Sequence, residues 1–238
     1  MKDKMCLRLV AFCATLCCAS LVSIGAIYEK AGFYVGLSAG SGYNAGNFRG
    51  NAASDEGTFD IRNKISTCGF EKGGCGFVGY MTHLSCEGWL AGVELGIEKP
   101  FYKKHFKTTI YDELAPLFEN CQYKIKTMYV AKLHAKAGKI LNDDWFVYGL
   151  VGVDMKKTEI SMQQETTEMK GKKSLWGIAV GLGVEREMGK SWRLGLECVN
   201  TYYPRRTLKG IEPEGNVRFT SRLKTNSTQV SLRLIYNF

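Results

Sequence analysis

The side chains able to do chemistry are few and scattered. Histidine occurs at His83, His105 and His134 only. Hydrolysis on such a residue needs a nucleophile and an orienting acid within reach. His83 and His105 fall in a turn and a loop, His134 alternates with lysines, and no Ser/His/acid set falls together. Of nine cysteines, four lie in the first 25 residues, leaving Cys68, Cys75, Cys86, Cys121 and Cys198. None forms the close pairs that a zinc site requires. Five is odd, so at least one thiol stays free or pairs between molecules. Cys68 and Cys121 both fall near the long-loop rim and are the candidate disulfide in an oxidising compartment. Gly74-Cys75-Gly76-Phe77-Val78-Gly79 matches a dinucleotide-binding string, but a strand and turn follow it where a phosphate-cradling helix is needed. No cofactor, no metal and no enzymatic activity are therefore expected. A lipid-processing hydrolase is the catalytic alternative.

Charge is the other chemical resource. The chain is basic, at +9. Arg205, Arg206, Lys209, Arg218 and Arg222 crowd one late segment, and Lys103, Lys104 and Lys107 another. Such a balance can mean nucleic acid, anionic lipid or acidic polysaccharide. The N-terminus favours the last two, because it reads as an export address. Lys2, Lys4 and Arg8 precede an apolar stretch from Leu9 to about Ile24, and Ser23-Ile24-Gly25 offers small residues for a cut before Ala26. That is the layout of a secretory signal peptide, residues 1–25. The apolar run is short for a spanning helix, and nothing later holds 18 consecutive apolar residues. Any membrane crossing by residues 26–238 must use strands. The expected partners are anionic lipid or acidic polysaccharide, with no nucleic acid.

The elements that would position these groups alternate with period two. Clear examples are Trp89, Ala91, Val93, Leu95 and Ile97 against Gly92, Glu94, Gly96 and Glu98, and Trp176, Ile178, Val180, Leu182 and Val184 against Gly177, Gly181, Gly183 and Glu185. Eight such segments are predicted, starting near Gly32, Gly74, Trp89, Tyr123, Trp145, Trp176, Trp192 and Val230. Glycine dilutes the second. Short connections near 85–88, 142–144 and 189–191 alternate with long ones over 41–73, 99–122, 155–173 and 204–226. Short turns at one rim and long loops at the other mark a closed antiparallel up-and-down transmembrane barrel.

One face of these strands is broadly apolar, with Trp89, Tyr123, Trp145, Trp176, Trp192 and Tyr236 near its ends as interfacial girdles. The opposite face holds glycine and charge. A soluble lipocalin-like barrel with the faces reversed would bury those charges in its core, at several kcal/mol per unpaired ion. The lumen assignment therefore gives Lys124, Lys126, Lys132, Lys136, Arg193 and Arg233 against Glu94, Glu98, Asp154, Glu185, Glu187 and Glu197. Glu98, Lys124 and Glu187 stand near enough to strand ends to sit in rim water instead. Eight strands leave room only for side chains. The central network expected is Glu94, Lys126, Lys132, Lys136, Glu185, Arg193, Glu197 and Arg233, plugging the lumen rather than lining a channel. A small-solute porin is the alternative.

Gly32-Phe33-Tyr34-Val35-Gly36-Leu37 near the start and Val230 to Phe238 at the end, with glycine–aromatic strands between, resemble the eight-stranded outer-membrane barrels: the OmpA transmembrane domain, OmpX, the opacity-type adhesins and related surface antigens. The resemblance covers nearly all of 26–238. It implies a non-catalytic surface protein of the bacterial outer membrane, with outer-membrane lipid and lipopolysaccharide as partners, whose long extracellular loops contact the environment or a host receptor or acidic glycan. It also implies that Val230, Leu232, Leu234, Tyr236 and Phe238 form the signal read by the barrel-assembly machinery. The cysteine content departs from the family pattern.

Overall fold

The computed structural model describes residues 31–54, 57–66, 69–84, 88–101, 103–112, 115–141, 144–164, 167–211 and 217–238, with side chains for all of these except 47–66, 103–123, 160, 162–170 and 206–223. The expected leader lies outside them, as do the Cys68 and Cys121 thiols. The chain forms ten strands: β1 Gly32–Ser54, β2 Gly57–Ser66, β3 Gly69–His83, β4 Trp89–Pro100, β5 Lys103–Asp112, β6 Ala115–Leu141, β7 Trp145–Gln164, β8 Thr167–Glu187, β9 Trp192–Ile211 and β10 Val217–Asn237. Eight of them close a ring in the order β1-β3-β4-β6-β7-β8-β9-β10, and β10 pairs back onto β1. All pairings in the ring are antiparallel, and the last ladder runs from Tyr34↔Asn237 to Ser54↔Val217. Beyond the end of β3, β2 takes over the β1 edge, and β5 does the same for β6 beyond β4.

The segments expected as long loops are mostly strand. β7 and β8 stay paired as far as Gln164↔Thr167, and β9 and β10 as far as Arg218↔Ile211. Alternation signals a strand only where its two faces meet different media. Beyond an apolar layer both faces meet water, the pattern fades, and the ladder continues unannounced. At the other end Gly88 and Gly189 adopt φ of 72° and 80°, a left-handed conformation that costs glycine little and permits turns of a few residues.

The outer wall is apolar. Leu37, Ile97 and Leu182 are exposed by 68 %, 67 % and 72 %, while Glu94, Glu185 and Arg233 on the opposite face are buried. Aromatics bound this wall at both levels. Phe33, Trp89, Trp145, Trp192, Tyr236 and Phe238 ring the turn end; Tyr43, Phe70, Trp176 and Tyr202 ring the hairpin end. From Phe33 to Tyr43, or Trp192 to Tyr202, is ten residues. At about 3.3 Å per residue and a tilt near 40°, that spans roughly 25 Å, the height of a hydrocarbon layer.

Candidate functional site

The lumen is where the described chemistry concentrates, and it is stratified. Nearest the turns, Met81, Leu90, Phe146 and Ile235 form an almost fully buried apolar plug with half-buried Ile140 packed on it. They stand on the inward phase of β3, β4, β7 and β10. Reading that face as glycine and charge alone misses them. The signal was there, since Leu90 is in phase with Glu94, and Ile235 with Arg233.

Above the plug lies an ionic layer of three cations and three carboxylates. Arg233 Nη1 stands 2.8 Å from Glu197 Oε1 and donates to Glu94 Oε1 at 3.2 Å. Lys136 Nζ bridges the same two acids, 2.7 Å from Glu94 Oε2 and 3.0 Å from Glu197 Oε2. Arg193 pairs with Glu185 at 3.0 Å and donates to Asn237 Oδ1 at 2.8 Å. Each cation also covers an aromatic ring: Arg233 over Phe77 at 4.0 Å, Lys136 over Tyr148 at 4.7 Å, Arg193 over Tyr34 at 5.3 Å. Water replaced by carboxylates on one side and a π-face on the other is how a desolvated cation is held.

The rings are seated by glycine. Tyr34 faces Gly79, Phe77 faces Gly36 and Tyr148 faces Gly183 across neighbouring strands. A Cβ on Gly183 would come within 2.3 Å of the Tyr148 ring, and one on Gly79 equally close to Tyr34. Glycine lets each ring lie flat against the wall and reach the centre. There Tyr34 Oη donates to Glu94 at 3.0 Å and Tyr148 Oη to Glu197 at 2.7 Å.

A third layer follows. Lys132 pairs with Glu98 and donates to Gln229 at 3.0 Å, and Gln229 donates to Glu98 at 2.9 Å. His134 Nε2 lies 2.9 Å from Asp154, which also accepts from Thr201 Oγ1 at 2.7 Å. Higher still, Lys156 stands 3.5 Å from Glu71. A cavity of about 20 Å³ lies among Glu71, Glu98, Lys132, Asp154, Lys156 and Tyr203, room for about one water.

Six of the eight predicted network residues thus meet in one layer: Glu94, Lys136, Glu185, Arg193, Glu197 and Arg233. Lys132 sits one layer up. Lys126 does not join them, because it is exposed on the outer side, as is Lys124. The β6–β7 register shifts between Thr127 and Tyr129. That bulge at Met128 inserts one residue and exchanges the faces. Past it Ile125 and Thr127 turn inward, taking the side assigned from the sequence to Lys124 and Lys126. Glu187 is half-buried at the turn rim.

Val230, Leu232, Leu234 and Phe238 point outward, Tyr236 is half-buried, and the Phe238 amide donates to the Phe33 carbonyl at 3.2 Å. Arg205 is exposed on β9, while Arg206, Lys209, Arg218 and Arg222 lie on the upper β9–β10 hairpin with side chains outside the described ones. Gly74–Gly79 is a flat run of β3, with Cys75 and Phe77 inward, and makes no phosphate loop. Among the described residues no group of three acidic, histidine or cysteine side chains could hold a metal ion.

Residues 13–238 match the family model for the outer membrane protein beta-barrel domain. No curated protein sequence matches the chain. Among solved structures, the outer membrane protein OprG from Pseudomonas aeruginosa superposes with a TM-score of 0.55 at 14 % identity, over 88 % of this chain and 97 % of OprG. The outer membrane protease OmpT from Escherichia coli gives 0.51 at 8 % identity, over 91 % and 99 %. Neisserial surface protein A gives 0.42 at 14 % identity, over 87 % and 97 %. At these identities the likeness to OprG and OmpT is one of fold.

Proposed function

The chain belongs to the outer-membrane protein β-barrel family, and from that premise we propose that it is a sealed, non-catalytic barrel whose work is done by the hairpins it displays. Exported behind the 1–25 leader and inserted through its C-terminal strand, Val230 to Phe238, it holds the four long hairpins outside the cell and the short turns in the periplasm. The observation that carries the reading is the balanced ionic layer around Arg233, seated on a buried apolar plug. A solute would have to break ion pairs whose partners have no water to fall back on. An eight-stranded ring has no spare width beside them.

With the lumen closed, what remains for contact is the surface that rises past the membrane. The strands continue well beyond Tyr43 and Tyr202, as far as Ser54 and Ile211. The Arg205–Arg222 cluster gives one hairpin a preference for acidic partners, a host receptor or an acidic glycan. His134 and Asp154 are enclosed in the wall of this lumen, out of reach of a macromolecular substrate.

Single-channel recording in planar bilayers tests the sealed lumen. The expected trace is flat, with at most brief flickers. A large, steady, ohmic conductance would establish the porin reading instead. Accessibility of an epitope inserted between β9 and β10 on intact cells tests the orientation. It should be stained without permeabilisation, and staining only after permeabilisation would reverse the assignment.

A further inference from the structure

One cavity of the lumen is left short of positive charge by the residues around it. It lies on the hairpin side of the Arg233 layer, holds about 20 Å³, and is lined by three carboxylates, Glu71, Glu98 and Asp154, and by two ammonium groups, Lys132 and Lys156. Each lysine is already committed to one acid, Lys132 to Glu98 and Lys156 to Glu71 at 3.5 Å. Asp154 has the Thr201 hydroxyl and, at 2.9 Å, His134, which carries charge only when protonated. Glu71 is 8 % exposed. Its Oε2 faces Lys156 and accepts from Asn44, while its Oε1 is buried with no hydrogen-bond partner among the described residues. The next inward positions toward the hairpins on β6 and β7 are neutral. Thr127 and Thr158 stand opposite each other there, buried, and their hydroxyls likewise lack a partner among the described residues. Lys173 lies opposite Thr158 on β8, but it is exposed to water and does not line the cavity. The Arg233 layer below differs, because its three cations match its three carboxylates.

We infer that this cavity binds one monovalent cation of water's size, potassium or ammonium, taken up from the hairpin side. A buried polar atom with no protein partner points to a bound water or ion. Water would complete the hydrogen bonding of Glu71 and leave the acid excess of one, and an unpaired charge is the costly part of a desolvated site. The volume admits about one water, and potassium and ammonium are close to water in size. Oxygens line the space on several sides: the Glu71, Glu98 and Asp154 carboxylates and the Ser227 hydroxyl. Tyr203 adds an aromatic ring to the lining, an uncharged surface that attracts a cation. A divalent metal fits less well. Among the described residues no three acidic, histidine or cysteine side chains form a ligand set, so the tight shell such a metal demands is not built. A monovalent cation needs only a loose shell of mixed oxygens. The site stands above the Arg233 layer and does not depend on whether that layer conducts.

The test is the stability of the barrel folded into phosphatidylcholine vesicles, read as the urea midpoint in potassium, ammonium or choline chloride at equal ionic strength. The pH is kept mildly alkaline, where an ordinary imidazole is neutral. A ligand that binds only the folded state raises the midpoint as its concentration rises. Potassium and ammonium should do so, and choline, too large for the cavity, should not. Glu71→Gln removes the acid excess and should abolish the difference between the salts. Lys156→Gln raises the excess to two, and the potassium effect should then saturate at a several-fold lower concentration. Heat-modifiable gel mobility reports whether each variant is folded, and the wild-type comparison of salts stands without any variant. Equal midpoints in the three salts, a difference that survives Glu71→Gln, or a potassium effect weakened by Lys156→Gln would overturn the assignment. Planar-bilayer conductance bears on the Arg233 layer and leaves these outcomes untouched.

Discussion

Arg233 is the side chain on which the charge balance of the lumen turns. It meets Glu94 and Glu197 together, and Lys136 alone cannot neutralise both. Arg233→Met is expected to destabilise the barrel by about 3–5 kcal/mol, since it strands a buried carboxylate. Urea unfolding in lipid vesicles, followed by tryptophan emission, measures this. Arg233→Met/Glu197→Gln restores the count of charges and should recover part of the loss, with a coupling of roughly 0.5–3 kcal/mol. Additive losses would mean that the two side chains do not share a network. Gly183→Ala is a second test at this scale. The new methyl would overlap the Tyr148 ring, so about 1–3 kcal/mol should be lost. Most of that should vanish in a Tyr148→Ala background, where the ring is gone. Parity alone placed Glu94, Glu185, Arg193, Glu197 and Arg233 on a common face. The aromatic seats under Lys136, Arg193 and Arg233 were not legible. They depend on which strand lies beside which, and on a register that pairs Tyr148 with Gly183.

The β6 strand shows what period-two reasoning sees and where it stops. From Lys132 to Lys136 the alternation places side chains as observed. At Met128 one extra residue exchanges the faces, and Lys126 and Ile125 trade sides. Both phases there mix charged and apolar residues, so composition offers no warning of the shift. The hairpin extensions of β1, β7, β8 and β9 were hidden for a related reason, namely that water on both sides leaves no pattern to read. The closing strand β10 was the plainest element, with Val230, Leu232 and Leu234 on the lipid side and Ser231 and Arg233 inside. Its end yields a prediction separating assembly from stability. Phe238 is 79 % exposed and its amide makes one ladder bond. Deleting it should change the unfolding free energy of refolded protein by about 1 kcal/mol. In cells it should sharply reduce the heat-modifiable, membrane-inserted fraction. An unchanged inserted fraction would remove the terminal aromatic from the assembly signal.

At the scale of the whole molecule the protein is a ring turned inside out relative to a soluble barrel, with its apolar side chains outermost and its ionic side chains enclosed. All four tryptophans stand on that outer wall: Trp89, Trp145, Trp176 and Trp192 are 43 %, 40 %, 41 % and 47 % exposed. Trp89, Trp145 and Trp192 open their strands at the turn end, and Trp176 stands mid-strand at the hairpin-end aromatic level, which puts the four at the two interfaces rather than mid-membrane. The most direct test is therefore quenching of tryptophan emission by lipids brominated at defined carbons of the acyl chain, with the protein folded into vesicles. The arrangement predicts strong quenching, greater for bromines near the headgroup than for bromines near the chain end. Emission equal in brominated and ordinary lipid would put the indoles in a dry protein centre and contradict the assignment of faces.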